Sequence, residues 1–131
     1  MTWRTKEAEQ VEDIVHSAVK KGKILGGICD ASAFLAKAGV LNTVKHTSND
    51  LNDIKQWGAG NYTGEANYCY NQAVRDNNIV TANGTASIEF AREVMLALGM
   101  ASEGKINEWY NFHKLGYYNA AMPKDAKMPT A

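Results

Sequence analysis

Residues 23–39 read KILGGICDASAFLAKAG. The run from Ile24 to Ile28 is short, apolar and carries two glycines, the pattern of a buried strand. From Asp30 onward the spacing becomes that of a short helix, closed by Gly39. The chain therefore turns from strand into helix at Cys29. Such an abrupt turn lifts its central side chain into a cleft, and the residues two before and two after must be small because the two backbones crowd there. Gly27 and Ala31 meet that demand. Cys29 then stands at a helix N-terminus, whose partial positive charge favours a thiolate. A buried structural cysteine has the same spacing, so the pattern leaves a reactive thiol and an inert one both open.

Outward from this unit, apolar residues at three-and-four spacing (Ala8, Val11, Ile14, Val15, Ala18, Val19) predict one helix over 5–21, ended by Gly22. TVKHTS, residues 43–48, reads as a short strand and LNDIKQWG, 51–58, as one or two helical turns. Residues 58–71 are rich in Gly and Asn and read as a surface loop covering a site. QAVRDNNIVTAN, 72–83, reads as a hairpin turning at Asp76, Asn77 and Asn78. Thr85 is the expected N-cap of the next helix, with Ile88, Ala91, Met95 and Leu98 on one face. A last amphipathic helix is predicted over 103–115. Pro123 and Pro129 mark MPKDAKMPTA as a loose tail. Strands alternating with helices favour a layered α/β fold with a mainly parallel sheet.

Composition bounds the function. The 131 residues carry 14 basic and 14 acidic side chains, so the basic footprint of a nucleic-acid binder is missing. With 45% hydrophobic and 21% charged residues the chain has the makeup of one globular domain, or part of one. No apolar run approaches the length of a membrane-spanning helix, which excludes a membrane partner of that kind. The N-terminus lacks a signal-peptide pattern. Cys29 and Cys69 stand far apart without paired spacing, so the expected compartment is the reducing cytoplasm with both thiols free. His16, His46 and His113 have no metal-site spacing, and neither metal nor other cofactor is expected.

GGICDASAFLAKAGVLN, then HTSN, then VRDNNIVTANGTASIEFA together resemble the ThiJ/PfpI family of the class I glutamine amidotransferase-like superfamily, in particular its YdeA-type branch. The likeness runs from near the N-terminus to about Leu98. It implies a flavodoxin-like three-layer α/β sandwich with Cys29 as the elbow nucleophile and the Asp30 N–H as one arm of an oxyanion hole. Many members carry a histidine directly after the nucleophile; here that residue is Asp30, so Cys29 and Asp30 together are the expected catalytic pair. A neighbouring carboxylate opposes thiolate formation. The fixed helix dipole is nonetheless expected to prevail and to make Cys29 more reactive than Cys69. The family's first β-α-β part ends in a Pro-Gly-Gly turn and supplies a second oxyanion donor and an acidic residue. Because the chain opens at Met1-Thr2-Trp3, that part is expected to be absent. Residues 1–118 are then the C-terminal portion of such a domain and 119–131 its tail. Uncovered strand edges and helix faces should drive self-association, as a homo-oligomer, or association with the missing N-terminal segment.

The other candidates are secondary. His46, Asn49 and Asn83 are the candidates to line the substrate pocket, although for His46 the spacing favours a half-exposed strand histidine. Asn83-Gly84-Thr85 leaves a strand for a helix, where backbone N–H groups can bind anions or simply cap. Cys69 reads as a bystander thiol, His16 and His113 as surface residues. Trp109, Tyr110, Phe112, Tyr117 and Tyr118 read as packing for the last helix. The resemblance implies a cysteine-nucleophile amidase or amidotransferase acting on a small amide or carbonyl substrate. The rival expectation is a non-catalytic thiol domain, either a redox sensor or a small-molecule binder.

Overall fold

The computed structural model describes residues 2–122; residues 123–131, with both prolines of the expected tail, lie outside the described residues. A three-stranded sheet in the order β1-β3-β2 forms its centre. Strand β1 (Leu25–Ile28) pairs in parallel with β3 (Ile79–Ala82), and β2 (Ala73–Asp76) closes an antiparallel hairpin on β3. The sheet is therefore mixed. Asn77 takes φ 51° in the hairpin turn, a conformation that Asn tolerates better than most residues.

The two faces of β1 are visible in its glycines. A Cβ on Gly26 would meet the Phe90 ring, whereas one on Gly27 would meet Leu35 and the Ala31 backbone. Helix α5 (Ser87–Leu98), backed by α6 (Glu103–Leu115), thus covers one face, and α3 (Asp30–Lys37) covers the other. On the α3 side the core gathers Phe34, Leu35, Leu41, Ile54 and Ile79, with Trp3 tilted against Phe34 at 5.1 Å. Each such fully buried side chain contributes about 1.5–3 kcal/mol.

Helix α4 (Leu51–Gly58) matches the expected stretch and is capped by the Asp50 carboxylate, which accepts from the N–H groups of Asn52 and Asp53. The helix expected over 5–21 is instead two, α1 (Lys6–Glu9) and α2 (Glu12–Lys20). Between them the Val11 N–H reaches back three residues to the Ala8 carbonyl, a tightening that brings both Ala8 and Val15 into the core. Ile14 and Val19 remain in water.

Residues 43–48 do not form the expected strand. Only His46 makes a single parallel bridge, to Tyr68, because the next amide, that of Thr47, donates to the Thr81 side chain and ends the ladder. The stretch 58–71 is less superficial than its composition suggests. It forms two short 3₁₀ turns, Ala59–Asn61 and Glu65–Asn67, and buries Tyr62 between them. Thr85 is not the cap of α5. The Asn83 side chain accepts from the Thr85 N–H, and the Asn83 carbonyl from that of Ala86, so a side-chain turn intervenes and the helix starts at Ser87. Of the late aromatics, Trp109, Tyr110 and Phe112 are half-buried on α6, but Tyr118 is 95% exposed.

Strand β1 lies at the edge of this sheet, not in the centre where the sequence pattern puts it. Leu25 donates to the Asn78 carbonyl just before β3 and Cys29 to that of Ala82, so alternation turns the N–H and C=O groups of Gly26 and Ile28 to the open side.

The Gly27 contact sets a test. A Cβ there would stand 2.8 Å from Leu35 Cδ1 and 3.1 Å from the Ala31 backbone, which cannot move without shifting α3. Gly27→Ala should destabilise the chain by about 1–3 kcal/mol in urea titrations. Gly26→Ala, which meets only the Phe90 ring, should cost clearly less; equal costs would refute the crowding argument.

Candidate functional site

Cys29 joins β1 to α3 with φ 59° and ψ −126°. A non-glycine residue there costs on the order of 1–3 kcal/mol, so its surroundings must hold it. The Cys29 N–H donates to the Ala82 carbonyl at 3.0 Å. The buried Ser32 hydroxyl lies 2.8 Å from the Gly27 carbonyl and 2.9 Å from that of Ala82, tying the ends of both parallel strands to the first turn of α3. The thiol itself is exposed.

Asn49 is the thiol's side-chain partner. Its Nδ2 donates to Sγ at 3.2 Å, and its Oδ1 accepts from the Gly84 N–H at 2.7 Å. It is held from both sides: Thr47 is hydrogen-bonded to Thr81 and Asn71, and Asp50 is fixed as the cap of α4. Gly84 passes so close that a Cβ would lie 3.1 Å from Sγ. The N–H groups of Gly84 and Thr85 are both engaged by side-chain oxygens, so the turn at 83–85 is organised around Asn49 and Asn83 and not around an anion.

Asp30 points into a charge network that sequence reasoning missed. Arg4 donates to its Oδ1 from Nε at 2.9 Å, binds both Asp53 oxygens at 2.6 and 3.1 Å, and lies 4.3 Å over the Trp57 ring. Hydrogen bonds donated to Asp53 and then to Asp30 hold the Arg4 guanidinium even more firmly charged than usual. Asp30 Oδ2 is buried without a hydrogen-bond partner among the described residues. Arg4, Asp30, Asp53 and Asn49 wall a pocket of about 230 Å³ around Cys29. Nothing in MTWRTKEAEQ marks Arg4 for this role; only the return of α4 to the elbow brings its partners together.

His46, expected in the pocket, is fully buried in the core and does not line the cleft. Its Nδ1 faces the Val44 carbonyl at 2.7 Å and its Nε2 the Tyr62 hydroxyl at 2.7 Å. A neutral ring with the proton on Nδ1 satisfies both, Tyr62 donating to Nε2. Burial lowers the His46 pKa below 6.5, and burial, with Tyr68 and Glu65 nearby, pushes the Tyr62 hydroxyl up to about 12. His16 and His113 are exposed on their helices, so none of the three histidines touches Cys29. Asn83 binds Gln72 and lines a larger cleft of about 450 Å³ that meets the Cys29 pocket at Ser48, Asn49 and Asp50. Cys69 is half-buried, its thiol 3.6 Å from the Asn67 carbonyl. Among the described residues no helix is long and apolar enough to cross a membrane.

Residues 2–97 match the model of the DJ-1/PfpI family, and the chain belongs to that family. It is 40% identical over 113 residues to a Bacillus subtilis protein named "Uncharacterized protease YoaZ", covering 86% of this chain and 53% of the relative. It is 36% identical over 108 residues to "Uncharacterized protease YdeA" of the same organism, covering 80% and 52%. The chain thus spans about half the length of the curated relatives it matches. Among solved structures, a thiJ/pfpI family protein from Bacillus anthracis superposes with a TM-score of 0.82 at 38% identity, over 87% of this chain and 53% of that one. A DJ-1 superfamily protein from Agrobacterium tumefaciens gives 0.69 at 34%, over 79% and 56%. The α/β architecture is therefore that of the family's flavodoxin-like fold.

Two tests follow from the buried groups. In the unfolded chain His46 protonates near 6.5, but in the folded chain only at lower pH. Between those two values the unfolded state binds more protons, so stability is full above about pH 6.5 and falls as pH drops below it. The slope should approach about 1.4 kcal/mol per pH unit at most, and His46→Gln should abolish it between pH 6.5 and 5 in denaturation curves. Arg4→Gln should cost about 1–2 kcal/mol, discounted for partial exposure, by leaving Asp30 uncompensated. Adding Asp30→Asn should recover part of that loss; a double variant no more stable than Arg4→Gln would separate Arg4 from Asp30.

Proposed function

We propose that Cys29 is the nucleophile of a cysteine-dependent hydrolase or amidotransferase-like domain acting on a small amide or carbonyl substrate in a reducing cytoplasm. The observation that carries this reading is the exposed Cys29 thiol on a strained strand-to-helix turn, held by the Asn49 side chain at the mouth of a cleft. A conformation that costs energy and presents a thiol to solvent is not what packing alone would select. The names of two relatives as proteases agree in kind.

In the proposed reaction the thiol gives its proton to solvent, and the thiolate forms an S–C bond to the substrate carbonyl as the π pair moves onto oxygen. The Asp30 N–H, which opens α3 and lacks an intrahelical acceptor, is proposed as one donor to that oxyanion. With an amide, the C–N bond then breaks, the amine leaves with a proton, and water releases the acid from the thioester. The remaining oxyanion donor and the proton carrier are proposed to come from the part of a full-length family domain that this chain does not span.

The second reading is a thiol that reacts without turnover. It is favoured by the lack of any imidazole in contact with Cys29. Incubation with glutamine, simple amides and 2-oxoaldehydes should give time-dependent product that disappears in Cys29→Ala. Stoichiometric oxidation or alkylation of Cys29 with no product from any of them would replace the first reading by the second.

A further inference from the structure

The larger cleft beside Cys29 has an unusual lining. Asn49, Asn52, Asn71, Gln72 and Asn83 contribute five carboxamides, and among the described residues no lysine, arginine or histidine lines it. Its one ionisable acid, Asp50, is occupied in capping α4. The side chains of Asn52 and Asn71 and the Tyr70 hydroxyl make no hydrogen bond within the described residues, so their polar atoms are available to a ligand. Tyr70 is 84% exposed at the rim, edge-on to Tyr68 at 5.0 Å, and offers a flat apolar face. The adjoining Cys29 pocket shares Asp50 and adds two carboxylates, Asp30 and Asp53, against Arg4, which already serves both.

A carboxamide presents a donor and an acceptor side by side, the complement of hydroxyls and of other amides. A carboxylate or phosphate entering this space would lose water and find no cation in return. We propose that the cleft is the specificity subsite for Cys29 and takes an uncharged carbonyl compound rich in hydroxyl or amide groups, turning anionic ones away. The inference rests on Cys29 being the nucleophile, but its test reads selection by charge and not turnover, so the two fail separately.

Iodoacetamide and iodoacetate both alkylate the thiolate with loss of iodide, so the ratio of their rates at one cysteine cancels the amount of thiolate present. At Cys29, followed by mass-mapped labelling, the native chain should favour iodoacetamide about threefold or more beyond the ratio measured in urea. Asn71→Lys, or Tyr70→Lys where that variant folds better, should bring the ratio back toward the unfolded value. Glyceraldehyde should slow the labelling of Cys29 more than propionaldehyde, which lacks its hydroxyls, and more than glyoxylate, which is anionic. A native ratio equal to the unfolded one, or equal protection by the three carbonyl compounds, overturns the proposal. If the charge selection holds while no amide or carbonyl compound is ever turned over, the subsite stands and the catalytic reading falls.

Discussion

The Ser32 hydroxyl, lying between the carbonyls of Gly27 and Ala82, ties together three things that need not otherwise coincide: the end of β1, the end of β3 and the first turn of α3. The backbone between them has one residue, Cys29, in which to reverse direction. It can do so only at positive φ and only because Gly27 leaves room for Ala31 and Leu35. The exposed thiol is the consequence. Remove the crowding or the hydroxyl bridge, and the turn loses its reason to be tight and the cysteine its reason to face solvent.

A second layer of constraint surrounds that turn. Asn49 and Gly84 approach the thiol from segments that the sheet brings to the same end, Asn49 after residues pinned to β3 and Gly84 directly after β3 itself. Arg4 reaches in from the N-terminal turn and binds Asp30 and Asp53 while stacking on Trp57. Partly exposed ion pairs of this kind add little to stability singly. Here their effect is local: the carboxylate next to the thiol is met by a guanidinium and does not act on Cys29 as an uncompensated charge. Cys29 thus sits beside charges that are mostly acidic and already engaged.

The membership in the DJ-1/PfpI family and the open edge of β1 bear on one another. This chain matches only about half the length of its curated relatives, and the matched part includes the Cys29 turn. In the described residues β1 presents Gly26 and Ile28 to solvent on its outer side, and Ile14 and Val19 of α2 are exposed. The backbone turn at Cys29 is nevertheless held without a further strand, because its hydrogen bonds among the described residues run to β3, α3 and the Asn49 segment.

The sequence by itself determined the local units. The KILGGICDASAFLAKAG stretch specified strand, turn and helix because crowding at the turn admits only small residues at 27 and 31, and the hairpin at 76–78 and helices at 51–58 and 103–115 followed from turn chemistry and period. Asn49 was legible through the family motif. What only the tertiary structure decided was which of the polar residues meet. His46 lies in a stretch that reads as half-exposed, yet the 3₁₀ turns around Tyr62 close over it, and its ring bonds are satisfied in the core. Arg4 carries no local signal, because its partners sit 26 and 49 residues away and converge only when α4 packs on α3. Thr85 had the propensity to cap, but its hydroxyl donates to the Asn83 side chain instead. Period and turn rules act over a few residues, whereas the pocket is assembled by contacts across the whole chain, and those are set by packing.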